Sequence, residues 1–296
     1  MSQALPKVSS GTLERLENFP SQFVAPRHVD VWLPQGYNSA IRHNVIYMHD
    51  GQMLFDAQIS WNKQAWNVDA MVTTLMNEGR IPATIVVGVW NNGKYRHAEY
   101  FPQKHLDYMP AAARDALIQQ ALQGQPLADA YLRFLVEELK PAIDSKYATH
   151  TDATHTFIMG SSMGALISVY AMNEYPQVYG GAAGLSTHWV GSHQPNTAIP
   201  LAAFNYLRDH LAKSQNHYLY QDHGTKELDA LYAPYQEFID QLVRDQGYTD
   251  ANYLSRVIED AGHNEKAWAG RLELPLVFLM GHSKSGAVVK PVKVAP

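Results

Sequence analysis

The pentad Gly160-Ser161-Ser162-Met163-Gly164 follows a β-type run, Thr156-Phe157-Ile158-Met159, and precedes a helical pattern in which Met163, Leu166, Ile167, Tyr170 and Ala171 recur on one face. Strand, G-x-S-x-G and helix make a setting in which Ser162 can stand at the apex of a tight elbow as a nucleophile. The plain alternative is an ordinary strand-to-helix turn, because glycines let two segments cross closely whatever lies between them. A serine hydroxyl attacks only when a base takes its proton and a third group orients that base. The partners must therefore be sought downstream, in the order acid and then histidine.

The histidines after Ser162 are His188, His193, His210, His217, His223, His263 and His282. His210 falls inside a helical pattern and His217 opens a strand, so both suit structural or surface roles. His263 ends Asp260-Ala261-Gly262-His263, after the last strand and at the turn into the final helix, which is where a base can enter. The acid belongs to the segment from Asp222 to Asp229. Asp222 reads as a structural carboxylate at a strand end, leaving Asp229 and Glu227 as alternatives. Asp229 is preferred for its shorter reach, although a helix N-cap is an equally ordinary use of aspartate. Charge developing on a tetrahedral oxygen requires fixed donors. The backbone N–H of Met163 is one, and the N–H of Gln52, in Asp50-Gly51-Gln52, is the second candidate. Arg96, Glu99 and Tyr100 form a charged and aromatic cluster that either pairs to rigidify its loop or contacts substrate. Trp189 is read as lining the pocket at a strand end, Trp66 as core, and Trp61 as either. The histidines are scattered, and neither HExxH nor a close His/carboxylate pairing stands out, so no metal is expected. No cofactor is expected either.

The elements that would position these groups are legible. Residues 11–19 and 27–34 read as two strands, the second alternating His28, Asp30 and Trp32 with Val29, Val31 and Leu33, which predicts one buried face. Residues 44–48 and 83–90 are short apolar runs typical of strands covered on both sides. Further strands are expected at 180–185, 217–221 and 252–258. Helices are expected at 63–78, 127–144, 201–213 and 229–245, and near 264–280 with a kink at Pro275. Residues 91–110 read as a long polar loop, and 111–124 as a helical cap. An α/β fold follows, a single domain over residues 1–296 with a cap insertion around 91–125. Its central sheet of about eight strands is mostly parallel, with helices on both faces. Function should gather beyond the carboxyl ends of the strands, where the Asp50 loop, Ser162, the 222–229 segment and His263 all fall.

Composition excludes other classes. The 296 residues are 46% hydrophobic and carry a net charge of −5, which disfavours phosphate-backbone binding and predicts no nucleic-acid partner. No run of eighteen apolar residues is present, and the first residues lack a basic-then-apolar leader, so a non-membrane, cytoplasmic protein is expected. Without cysteine there is neither disulfide nor thiolate chemistry. Seventeen Tyr and six Trp suit an aryl-lined cleft or a large core. Nothing in the composition speaks to oligomeric state.

The stretches SGTLERLENFPSQFVAPRHVDVWLPQGY, VIYMHDGQMLFD, IVVGVWNNGKYRHAEYFP, FIMGSSMGALIS, GLSTHW, DHGTKELDALYAPYQ and AGHNEKAWAGRL occur in an order that resembles the esterase branch of the α/β-hydrolases. That branch includes enterochelin-type esterases, feruloyl and acetyl xylan esterases, S-formylglutathione hydrolases and, more distantly, mycolyltransferases. The resemblance runs from Ser10 to Leu272. It implies a cofactor-free Ser-acid-His hydrolase acting on a small-molecule ester, an acylated carbohydrate among the candidates. It also implies Ser162 as nucleophile, His263 as base, and the amides of Gln52 and Met163 as oxyanion donors. Between Asp229 and Glu227 it does not choose. Acyl transfer at the same site, and a binding module that merely retains the fold, are the competing expectations.

Overall fold

Successive residues of the central strands feed two different cores, and this period-2 alternation organises the molecule. The computed structural model describes residues 4–192 and 196–281. Its strands are β1 (Thr12–Phe19), β2 (Arg27–Leu33), β3 (Asn44–His49), β4 (Thr84–Val89), β5 (Thr156–Ser161), β6 (Gly181–Leu185), β7 (Tyr218–Gly224) and β8 (Tyr253–Ile258). They form one sheet in the order β1-β2-β4-β3-β5-β6-β7-β8. Pairs β1–β2 and β2–β4 are antiparallel and the others parallel. On one side lie Val45, Tyr47, Val87, Ile158, Ala182 and Leu219; on the other lie Ile46, Met48, Val86, Phe157, Met159 and Tyr220.

The helices are α1 (Val68–Asn77), α2 (Arg96–Tyr100), α3 (Ala111–Gln120), α4 (Ala128–Arg133), α5 (Lys140–Lys146), α6 (Met163–Glu174), α7 (Ala198–His210), α8 (Ala233–Asp245), α9 (Glu265–Ala269) and α10 (Glu273–Met280). The first core takes Leu166, Ile167 and Tyr170 of α6 with Ile239 and Val243 of α8; the second takes Val72 and Leu75 of α1 with Leu276 and Leu279 of α10. This is the α/β architecture, a mostly parallel sheet covered by helices, that the alternation of strands and helices predicts. No helix among the described residues is long and apolar enough to cross a membrane.

Three local expectations differ from the structure. Strand β2 is buried on both faces, because Asp30 accepts a bidentate pair from Arg15 and a bond from the Trp90 indole, and Trp32 enters the second core. Residues 91–110 are not open loop. They wind through short helical turns and α2, with Ala98, Glu99, Tyr100, Phe101, His105 and Leu106 buried. The final helix is not kinked at Pro275 but broken before it, between α9 and α10. Pro275 then sits in the first turn of α10, where an absent N–H costs nothing.

Candidate active site

Parallel pairing brings the carboxyl ends of β3, β5, β7 and β8 to one edge of the sheet. Ser161 pairs with Leu185, Leu185 with Asp222, and Gly224 with Ile258. At the end of β5, Ser162 has φ 57° and ψ −122°, a sparsely populated conformation for a residue with a side chain. The flanking glycines are required. A Cβ on Gly160 would stand 2.7 Å from the backbone of Gly164, and one on Gly164 would press at 3.3 Å on Asp50 Oδ2 and His49 Cβ. The start of α6 therefore abuts the turn after β3. Among the described residues, the Met163 and Gln52 amides donate to no protein group.

That turn is held with unusual thoroughness. Asp50 adopts a left-handed conformation (φ 55°), and Gly51 lies so close to Gly88 that a Cβ there would sit 2.6 Å from its carbonyl. The Asp50 carboxylate accepts from Arg96 Nε at 2.7 Å, Arg96 Nη2 at 2.8 Å and Asn91 Nδ2 at 2.6 Å. Burial disfavours its ionisation, yet the Arg96 charge and these bonds hold its pKa below the ordinary value. Behind it, burial pushes His49 down to about 3, so that its imidazole is neutral.

Beyond β7 and β8 the two carboxylates separate. His263 Nδ1 lies 2.6 Å from Asp229 Oδ1, and Asp229 Oδ2 accepts from Ser186 Oγ at 2.5 Å and Gly224 N at 2.6 Å. Burial opposes the charge on Asp229, but the bonds from His263 and Ser186 prevail and keep its carboxyl below the usual range. Glu227 is exposed, and its carboxylate accepts from the backbone N–H of His263 at 2.6 Å. It grips the chain beside the imidazole rather than the ring.

Several groups in this network carry no signal in the local sequence. Ser186 Oγ also accepts from Trp268 Nε1 at 2.9 Å and Arg271 Nη2 at 2.8 Å, and Arg271 forms a buried ion pair with Asp222. Tyr232 is more consequential. Its hydroxyl lies 2.6 Å from His188 Nδ1 and close enough to the Ser162 side chain to interact with it, while its ring stands edge-on to His263 at 5.9 Å. Burial, then the Asp229 charge, raises the Tyr232 pKa far above the ordinary phenol value, so the hydroxyl stays protonated. A lone buried arginine in an apolar helical stretch could have flagged Arg271, whereas nothing local distinguishes Tyr232 among seventeen tyrosines.

The substrate-contact expectations require correction. Glu99 is 1% exposed and forms a bidentate pair with Arg27 at 2.6 and 2.8 Å, not with Arg96. Tyr100 is fully buried beneath the Arg96 guanidinium, with its hydroxyl accepting from Asp50 N. Trp189 is sealed against α8, donating to Gln236 Oε1 at 3.0 Å. None of the three offers a surface to a ligand; Arg96, partly exposed, still does. Breaking a buried pair leaves an uncompensated charge. Glu99→Gln is accordingly expected to lower stability by about 3–5 kcal/mol in urea unfolding, with KM unchanged. Of the other tryptophans, Trp66 is core and packs on Trp268, whereas Trp61 is 81% exposed. His193 and His282 lie outside the described residues.

Known proteins of similar sequence and fold agree with this architecture. A 223-residue stretch is 24% identical to the uncharacterized protein YjcH of Bacillus subtilis, covering 74% of this chain and 75% of the relative. The enterochelin esterase of Shigella flexneri superposes with a TM-score of 0.64 at 16% identity, over 93% of this chain; the chain spans only 60% of that protein's length. The ferulic acid esterase of Anaeromyces mucronatus gives 0.61 at 19% identity, covering 94% and 93% of the two chains. Residues 21–274 match the family described as "Putative esterase". By that match, which takes in every group of the site described above, the chain belongs to this esterase family of α/β-hydrolase fold.

Proposed function

We propose that the protein hydrolyses a carboxylic ester of a small molecule through an acyl-enzyme at Ser162, with an acylated carbohydrate or similar small ester as substrate. The observation that carries this reading is the contact of His263 Nδ1 with buried Asp229, on the sheet edge where Ser162 sits in a strained elbow. Asp229 accepts from Nδ1 and so leaves Nε2 of His263 as the base toward the serine hydroxyl. Ser162 Oγ attacks the ester carbonyl, His263 takes its proton, and the amides of Met163 and Gln52 receive the oxyanion. Collapse expels the alcohol, protonated by His263. Water, deprotonated by the same imidazole, then releases the acid and restores Ser162.

The Arg96–Asp50 clamp serves this chemistry by fixing the turn that carries Gln52, since donors aimed in advance stabilise developing charge without reorganising. The exposed indole of Trp61 supports an aryl or sugar ligand. Its neighbour Asn62 donates to Glu265 at 2.6 Å, two residues beyond His263, so the loop is tied to the same rim. Neighbours in fold described as enterochelin esterase and ferulic acid esterase are consistent with that class.

Tyr232 is a positioning residue in this scheme, its neutral hydroxyl set between His188 Nδ1 and the Ser162 side chain. Tyr232→Phe is expected to lower kcat for p-nitrophenyl acetate about tenfold with a smaller change in KM, as steady-state kinetics would measure. The reading as a whole is tested with a fluorophosphonate probe. Labelling of Ser162 is expected; an unlabelled, folded protein would refute it. Turnover of acyl sugars, siderophore esters and short-chain aryl esters in parallel would then rank the substrate classes.

A further inference from the structure

Two of the histidines, His150 and His155, come together at the opposite end of β5 from Ser162. Residues 150–155 read His-Thr-Asp-Ala-Thr-His and lead into that strand through a single helical turn, Ala153–His155. His150 and His155 stack with centroids 4.1 Å apart and planes 20° apart. Asp152 Oδ1 lies 2.7 Å from His155 Nδ1. One ligand atom from each of the three residues falls within 4.8 Å of the others. A close His/carboxylate pairing, which did not stand out in the sequence, is therefore present.

We propose that His150, Asp152 and His155 form a surface binding site for a borderline divalent transition-metal ion, best represented by Zn2+. Two imidazole nitrogens and one carboxylate oxygen supply three ligands, and water completes the shell. Mixed N/O donors of this kind suit Zn2+, Ni2+ or Co2+, whereas Mg2+ and Ca2+ require an oxygen cage.

The backbone around the three residues is already ordered. His150 N donates to His43 O at 2.9 Å, Lys140 Nζ to Thr151 O at 3.2 Å, and Thr156 Oγ1 to Asp152 O at 2.9 Å. Gly180 N donates to Ala153 O at 2.8 Å. Binding would therefore cost little ordering of the chain, and what must adjust is side-chain torsion. The opposing groups are Arg42, which donates to Thr149 O, and His43. Their proximity limits affinity to the range of an open surface site.

At a rise of about 3.3 Å per residue, the strand between this cluster and Ser162 spans roughly 20 Å. The ion would take no part in ester chemistry. It would instead clip the segment entering β5 to its own turn and stabilise the folded chain by mass action.

Calorimetric titration of Zn2+ into the full chain tests this. One equivalent is expected to bind, with more than about tenfold weaker affinity in each of His150→Ala, Asp152→Asn and His155→Ala. The exposed-residue control His210→Ala should bind as wild type, and excess Mg2+ should not compete. Zn2+ should raise the Tm of the wild type more than that of the double variant His150→Ala/His155→Ala. Absence of binding by the wild type, or undiminished binding by the double variant, would overturn the proposal. Asp152→Asn keeps the shape of the turn and provides the comparison if a histidine variant fails to fold.

Discussion

Replacing Ser162 with alanine is expected to lower kcat for p-nitrophenyl acetate on the order of 10⁵–10⁶-fold, the scale seen when a catalytic serine is removed from a hydrolase of this mechanism. The fold should survive. The Oγ is the only atom removed, and the elbow is held by Gly160 and Gly164 and by the bond from Ser162 N to Leu185 O at 2.9 Å. Full residual activity in the folded variant would exclude Ser162 as nucleophile. Loss of activity together with loss of thermal stability would point instead to damage at the elbow. The amides of Met163 and Gln52 remain in the variant, so a small residual rate above solution hydrolysis is expected from them alone.

The second large effect separates the two carboxylates. Asp229→Asn is expected to reduce kcat about 10⁴-fold, and Glu227→Gln less than tenfold. Asp229 receives three donors, from His263, Ser186 and Gly224. An asparagine amide has one oxygen for three donors, and its NH2 must face either His263 Nδ1 or the Ser186 and Gly224 side. The first choice reverses the tautomer of the base, and the second opposes donor to donor around a buried side chain. Glu227 accepts from the backbone of His263, a bond that glutamine can still accept. Kinetics of both variants, with circular dichroism as a check on folding, decide the matter. A large loss in Glu227→Gln with little in Asp229→Asn would reverse the assignment.

The distinction was invisible in the chain because the two residues are separated by a single position. Which of them turns inward depends on the backbone: Glu227 takes a left-handed conformation (φ 56°) at the start of a short helical turn, and Asp229 then faces Gly224 and His263. The same limit applied to Arg96, Glu99 and Tyr100. Their composition suggested a cluster, but their partners, Asp50 and Arg27, come from the turn after β3 and from β2, which only the sheet brings near. Pro275 shows a related limit. A proline's effect depends on its distance from the helix start, and the break between α9 and α10 follows from Arg271 and Leu272 turning into the core.

By itself, the sequence determined the alternating elements, the glycine-flanked elbow at Ser162, the position of His263 after the last strand, and the Asp50-Gly51-Gln52 turn. Each is written in local periodicity or in a backbone conformation that few residues tolerate. Only the tertiary structure decided that Asp229 holds the imidazole, that Tyr232 approaches Ser162 and bonds to His188, that Ser186 links Asp229 to Arg271, and that Trp189 is sealed. Those relations join residues up to 85 positions apart, and their signs are set by burial, which a side chain acquires only when strands and helices close around it. The pairing of His150 with Asp152 and His155 is the reverse case: near in sequence, yet recognisable as a cluster only once a single helical turn has stacked its rings.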